Sequence, residues 1–435
     1  MISKQNNRFI IYKATEIVCV ILSLLLILYN QEGQRNKVLA YGVLIFNLAT
    51  IIKVKNNLFL FVIFCSIAYC NYSICIVNHI HYLEMYFTQY SYTEIGALGL
   101  NILYAFNALL FLFSPHIEKK QKSELSLIKH NRENTVIVGG SLFILAVIFF
   151  VGFSRPDMIG ERGTPSAIYE YSIVFLIVAL YYAGKNKSLI ITIIAVAVAF
   201  AGQNFIFGGR ITGLQLLTML LLALMIDNVK LRNLLPVSIV LFVILSAIGQ
   251  LRGSLFSNGL DVDNVLSNLS EREYSLDTAY SSYFTSMTFL DELRVTSSAD
   301  RVYLFGRWIL SMLLGGSVRD SNLAQYTLST HLHYYGGVLP YFGYFYLGTF
   351  GVLLLSLWLR FLIHVTSKTD ENSSGLHRHI VLYFAATTLR WYLYSPSQLF
   401  RGIALLAIVY SLCLLIDRSM KKRAIEKEIR IRKTQ

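Results

Sequence analysis

The chain has 435 residues, is 55% hydrophobic with a mean hydropathy of +0.54, and is charged at only 14% of its positions, against roughly 25% in soluble domains. That balance excludes a soluble two-domain enzyme. The net charge of +13 would suggest nucleic acid in a soluble protein, but its distribution here reads as membrane orientation, so no nucleic-acid partner is expected.

Apolar runs near the ~20 residues that cross a ~30 Å hydrocarbon core recur from end to end, and lipid obliges each to close its backbone hydrogen bonds as a helix. In chain order they fall near 11–29, 38–52, 58–77, 95–115, 135–153, 167–183, 189–206, 211–226, 234–249, 337–360, 379–394 and 402–416, with 38–52 a short one. The fold class is therefore all-α, a polytopic membrane bundle of about 12 transmembrane helices with one large outer loop, and strands drop out. Residues 1–249 hold the first nine spans, 250–336 the outer loop, 337–416 the last three spans and 417–435 a basic tail. The first run follows Lys4, Arg8 and Lys13 like a signal peptide, yet no small-residue cleavage site follows Ile27 to Asn30, so it is expected to stay as an anchor. Cys19, Cys65, Cys70, Cys75 and Cys413 all fall inside spans without metal-ligand spacing and read as packing residues. No fixed-period repeat and no matched halves are present.

With the N-terminus inside, inner segments hold 25 of the 38 basic residues, among them Lys119, Lys120, Lys122, Lys185, Lys187 and the tail from Arg418 to Lys433. This places the chain in a cytoplasmic membrane with both termini cytoplasmic. The two sides also differ in kind: 16 of 17 lysines lie inside, whereas the outer side carries Lys37 and eleven arginines. Arginine suits a phosphate site because its planar fork bonds phosphate oxygens two at a time and keeps its charge near low dielectric.

Within the loop 250–336, the stretch 252–301 is too polar to be buried, while Tyr303 to Leu314 is apolar, contains Trp308 and is too short to span, which predicts a helix on the outer leaflet. A helix packed against the bundle is the alternative. The loop is acidic overall, so its arginines have to be judged by position. Arg210 follows Gly208 and Gly209 between two spans, which pins its guanidinium at head-group depth. Arg252 occupies the matching place at the start of the long loop, Arg401 flanks the last outer turn, and Arg390 lies inside its span, where a charge faces a partner or a water-filled cavity. Arg307 and Arg319 flank the apolar stretch. For each outer arginine, interfacial anchoring is the alternative. His331 and His333 close the loop where it re-enters the membrane, and either could contact substrate or accept a proton. The pair His79 and His81 carries a weaker signal, and Asp261 and Asp263 match an acidic metal-binding pair only by a spacing common in polar loops. Tyr334, Tyr335 and the Tyr-, Phe- and Gly-rich run after them could stack on sugars, or form an aromatic belt.

This arrangement resembles the Wzy-type O-antigen and capsule repeat-unit polymerases, relatives of the O-antigen ligases. The resemblance covers most of the chain as architecture: the span number, the late outer loop, the turn Gly208-Gly209-Arg210, Arg252, and the re-entry from His333 to Gly337. A spaced Arg-to-Gly pattern of some such polymerases has no counterpart, since Asp263 and Val318 stand at that spacing after Arg252 and Arg307. The resemblance implies a GT-C-like bundle and a glycosyltransferase needing no metal or cofactor, which moves a glycan from undecaprenyl diphosphate to a hydroxyl of the next lipid-linked unit. It implies that Arg210 and Arg252 clamp the diphosphate with Arg319, Arg390 or Arg401 assisting, that His333 positions or deprotonates the acceptor hydroxyl, and that His331, Tyr334 and Tyr335 bind substrate. Partners implied are the donor and acceptor lipids, membrane lipid, a chain-length regulator and a flippase. An O-antigen ligase and a lipid-linked oligosaccharide flippase remain the competing readings.

Overall fold

The computed structural model describes residues 2–29, 32–80, 93–117, 133–154, 163–207, 209–224, 277–315, 318–333, 336–369 and 373–434. In chain order the helices are α1 Ile2–Tyr29, α2 Glu32–Val54, α3 Leu58–Cys75 followed by a π-helical turn Ile76–Ile80, α4 Glu94–Phe113, α5 Thr135–Val151, α6 Ala167–Glu170, α7 Ser172–Ala183, α8 Lys187–Ile206, α9 Arg210–Leu224, α10 Asp277–Glu292, α11 Ser298–Leu314, α12 Leu323–Thr327, α13 Leu339–Ser367, α14 Gly375–Ala386, α15 Thr388–Leu393 and α16 Ser397–Thr434. One short antiparallel pair, β1 Phe153–Ser154 with β2 Thr164–Pro165, joins chain that leaves α5 to chain that enters α6.

Six helices among the described residues are long and apolar enough to cross a membrane: Gln34–Val54, Leu58–Ile80, Glu94–Phe113, Lys187–Ile206, Leu339–Ser367 and Ser397–Glu426. Thr135–Val151, Ser172–Ala183 and Arg210–Leu224 are shorter apolar helices. These fit an all-α membrane protein. The expected span 234–249, Arg252, the Asp261/Asp263 pair, Gly208, His81, Tyr334 and Tyr335 lie outside the described residues. The chain forms two compact units.

Unit 1 comprises Met1–Gln121, Ser275–Lys368 and Thr388–Gln398. In lipid, helices gain nothing from hiding apolar surface from one another, so polar side chains set which neighbours meet. Asn71 of α3 donates to Asn107 Oδ1 at 3.0 Å and Asn47 Oδ1 at 3.4 Å, while its own Oδ1 accepts from the Tyr392 hydroxyl at 2.7 Å. One buried amide thus ties α2, α3, α4 and α15 together. At the last turn of α4, Lys53 Nζ donates to Phe111 O and Lys13 Nζ to Leu112 O, each at 2.6 Å. These carbonyls lack intrahelical donors, and the negative end of the helix favours cations there. Glu16 balances the two ammonium groups at 2.7 Å from each.

The stretch expected to be too polar for burial instead supplies α10, in which Tyr280, Ser282, Tyr283, Phe284, Thr285, Ser286, Thr288, Phe289 and Glu292 are all buried. Hydroxyls make this affordable, because Thr285 and Ser286 donate to the carbonyls of Ser281 and Ser282 four residues back, and Thr288 to Thr285 O. The helix expected over 303–314 is present as α11, with Leu304, Trp308 and Ser311 buried and Val302, Tyr303, Ile309, Leu310 and Leu314 exposed.

The expected span 337–360 falls largely within α13, which the sequence did not show to be broken. α13 breaks at Gly348, whose φ of 62° and ψ of −146° are non-helical. A Cβ on Gly351 would strike the carbonyl of Gly343, and one on Gly343 would lie 2.7 Å from Gly351 O. In an unbroken helix those residues would sit about 12 Å apart along the axis, so the chain folds back on itself here. Arg301 Nη1 reaches Phe345 O, in the last turn before the break, at 3.5 Å.

Unit 2 comprises Lys122–Tyr274, Thr369–Thr387 and Leu399–Gln435. Asn134 caps α5 by accepting from Ile137 N, and its amide donates to Asp417 Oδ1 at 3.1 Å; Lys421 meets the other oxygen of Asp417 at 2.9 Å. The rings of His379, Tyr181 and Tyr410 form a cluster, with His379 at centroid distances of 4.6 and 4.7 Å from the tyrosines and the tyrosines 5.9 Å from each other. The expected spans 167–183 and 379–394 are each interrupted, at Tyr171 and Thr387. The Thr387 hydroxyl bonds Tyr383 O at 2.7 Å and so takes up a carbonyl at the break. α16 is a single helix of 38 residues whose exposed end carries Arg418, Lys421, Lys422 and Arg423.

Candidate functional site

In unit 2 the turn between α8 and α9 is closed by Gly209 N donating to Asn204 O at 2.6 Å. A Cβ on Gly209 would lie 2.5 Å from Asn204 Oδ1, so the tight turn needs glycine at this position. Behind it, the Tyr169 hydroxyl donates to Gln203 Oε1 at 2.8 Å and accepts from Asn204 Nδ2 at 3.0 Å, and all three residues are buried. Arg210 follows as the first residue of α9 and is half-buried. A guanidinium on the positive end of a 15-residue helix concentrates two features that favour an anion. The sequence placed Arg210 on a fixed glycine turn, and the structure supplies the buried amides that hold that turn. Arg401, also in unit 2, is half-buried on α16.

Unit 1 carries the histidine segment. Gly336 and Gly337 take φ of 95° and 144°, a backbone that side-chain-bearing residues rarely adopt. Gly337 N donates to Leu393 O at 2.9 Å, and Val338 N to Ser286 Oγ at 2.8 Å. The Gly336–Gly337 turn is thus seated on α10 and on the end of α15, the short helix of Arg390. Arg390 is buried, donates through Nε to Gln398 Oε1 at 3.1 Å, and lies 4.8 Å from the Tyr394 ring centre.

His333 is buried, with Nε2 3.0 Å from Thr327 Oγ1 of α12. Burial and the nearby His331 hold its pKa below the usual histidine value, against a raising hydrogen bond that the ring donates to the Ala324 backbone carbonyl. Acid therefore weakens this fold locally: as pH drops below the ordinary histidine range the unfolded segment takes up the proton more readily than the folded one. His331 is more open and faces Asp291 and Glu292, the last residues of α10. Arg319 points outward at 87% exposure, and both it and Arg307 approach Asp320, at 3.5 and 2.9 Å. Arg307 also lies 4.8 Å from the Tyr303 ring. Within unit 1, then, the Gly336–Gly337 turn meets the end of α15, the histidines meet α12 and the end of α10, and Arg319 lies at the surface.

His79, a weak signal in the sequence, stands in the same unit with partners that the sequence did not single out. His79, set in the π-helical turn, is fully buried with Nε2 2.9 Å from the Tyr283 hydroxyl, and Tyr341 donates to Gly99 O at 2.8 Å. Asn47, Asn71 and Asn107 gave a signal that could have been used, since amides inside apolar runs need partners. Among the described residues no group of three or more His, Cys, Asp or Glu side chains is arranged to hold a metal ion. No protein-family model matches the chain, and comparisons with curated proteins and with solved structures find no match either.

Proposed function

We propose that the chain is a membrane glycosyltransferase that joins undecaprenyl-diphosphate-linked repeat units at the outer face of a cytoplasmic membrane, within a GT-C-like bundle of about a dozen spans. The observation that carries this reading is the seat of Arg210: a guanidinium at the positive end of α9, on a turn braced by buried Tyr169, Gln203 and Asn204. The reaction breaks the bond between the sugar's anomeric carbon and a phosphate oxygen. The electron pair leaves with the lipid diphosphate, whose new charge rigid guanidinium groups stabilise without reorganising. The acceptor hydroxyl forms the new bond and releases its proton to solvent.

The test is reconstitution of the purified chain with lipid-linked repeat units in the absence of divalent metal. A ladder of products is expected, and Arg210→Ala and Arg252→Ala should each lower its rate by about 10²-fold or more. Arg210→Lys should fail too, because an ammonium does not replace a two-pronged contact. A ladder of normal rate from Arg210→Ala removes that residue from the mechanism. Transfer to a lipid A core would mark a ligase, and movement across the bilayer without new bonds a transporter.

A further inference from the structure

α11 has two unlike faces. Leu304, Trp308 and Ser311 are buried, and their side of the helix meets α13: Arg301 donates to Phe345 O, and the rings of Phe305 and Trp308 lie 5.5 and 5.6 Å from that of Tyr346. About two turns of α11 thus gather on two neighbouring residues of α13. The helix crosses α13 instead of running beside it.

The opposite face carries Val302, Tyr303, Ile309, Leu310 and Leu314, all exposed. No charge stands among them. Besides Arg301 on the packed side, the charges of α11 are Asp300 and Arg307, which at seven residues apart line one edge of the helix. Arg307 is neutralised there by Asp320 Oδ2 at 2.9 Å and covered by the Tyr303 ring. From Val302 to Leu314 the apolar face measures about 18 Å at 1.5 Å per residue, short of the ~30 Å of a hydrocarbon core. A helix standing upright in lipid would also carry Arg307 into the hydrocarbon, whereas one lying flat keeps the whole charged edge at the water.

The limb of α13 beyond the break exposes Phe350, Leu354 and Phe361, and α13 is long and apolar enough to cross a membrane. α11 is fastened in the turn just before that limb, so its exposed face adjoins a surface already suited to lipid. We propose that α11 is an in-plane anchor: acyl chains of one leaflet cover Val302, Tyr303, Ile309, Leu310 and Leu314, and the Asp300–Arg307 edge faces the aqueous phase. The sequence left the leaflet and the bundle as alternatives for this helix, and its two faces take one each. The anchor does not require the transfer reaction.

The full chain in nanodiscs whose phospholipid carries a diazirine along its acyl chain tests this, with adducts mapped by mass spectrometry after illumination. Val295 and Leu332 serve as internal controls, being 77% and 80% exposed but outside the face. Ile309, Leu310 and Leu314 should collect about tenfold more adduct than those two, and about as much as Phe350 and Phe361, because a chain-borne reagent reacts where apolar side chains enter the acyl region. Hydroxyl radicals generated in the water should give the reverse order. Oxidation of the α11 face to the level of Leu332 puts it in water and overturns the anchor. Neither label on that face would mean that a second copy of this chain covers it, which overturns the anchor equally.

Discussion

Glu16→Ala should lower the unfolding free energy of the purified chain by about 3–5 kcal/mol, read from denaturant titration in micelles, because it strands two ammonium groups in a largely desolvated site. The side chains of Glu16 and Lys53 are 11% and 8% exposed, and Lys53 has only Glu16, the Phe111 carbonyl and the Phe111 ring within reach among the contacts described. Removing the cation as well should reverse most of the loss, so Glu16→Ala combined with Lys53→Met should be much closer to the parent. Lys13→Ala should cost less, since its side chain is 33% exposed and water can replace part of its pairing. A Glu16→Ala chain within about 1 kcal/mol of the parent would mean that solvent already reaches the triad.

Gly351→Ala is expected to have the second large effect. Its Cβ would strike the backbone carbonyl of Gly343, and backbone has no rotamer by which to yield. Overpacking typically costs about 1–3 kcal/mol, and a clash between two main chains belongs at the upper end or beyond. Gly140→Ala makes the comparison informative: a Cβ there meets nothing within 4 Å, and alanine in a helix interior gains up to about 1 kcal/mol over glycine. The two substitutions should therefore differ in sign when thermal unfolding is followed. Equal effects would show that the close approach at the α13 fold-back is not tight.

The apolar runs of α2, α3, α4, α8 and α16 were legible because lipid leaves the backbone little choice once a run is long enough. Residues 277–292 were not. Hydropathy counts a serine or threonine as polar whatever it touches, whereas in α10 the hydroxyls find helix carbonyls and stop needing water. The break in α13 was hidden for a related reason: its glycines were visible, but which one turns left-handed depends on what packs against it. The Arg210 turn could be read locally, since Gly208, Gly209 and Arg210 are neighbours in sequence. The Lys13–Glu16–Lys53 triad could not, because Lys53 and the carbonyls it shares the site with come from α2 and α4.

The last helix has a mechanical corollary. At about 1.5 Å per residue, the 38 residues of α16 measure about 57 Å, nearly twice a ~30 Å hydrocarbon core. Once its apolar half is embedded, the remainder projects into the aqueous phase as a stiff rod. A reporter fused at its end would register a fixed standoff from the lipid surface rather than a diffuse cloud.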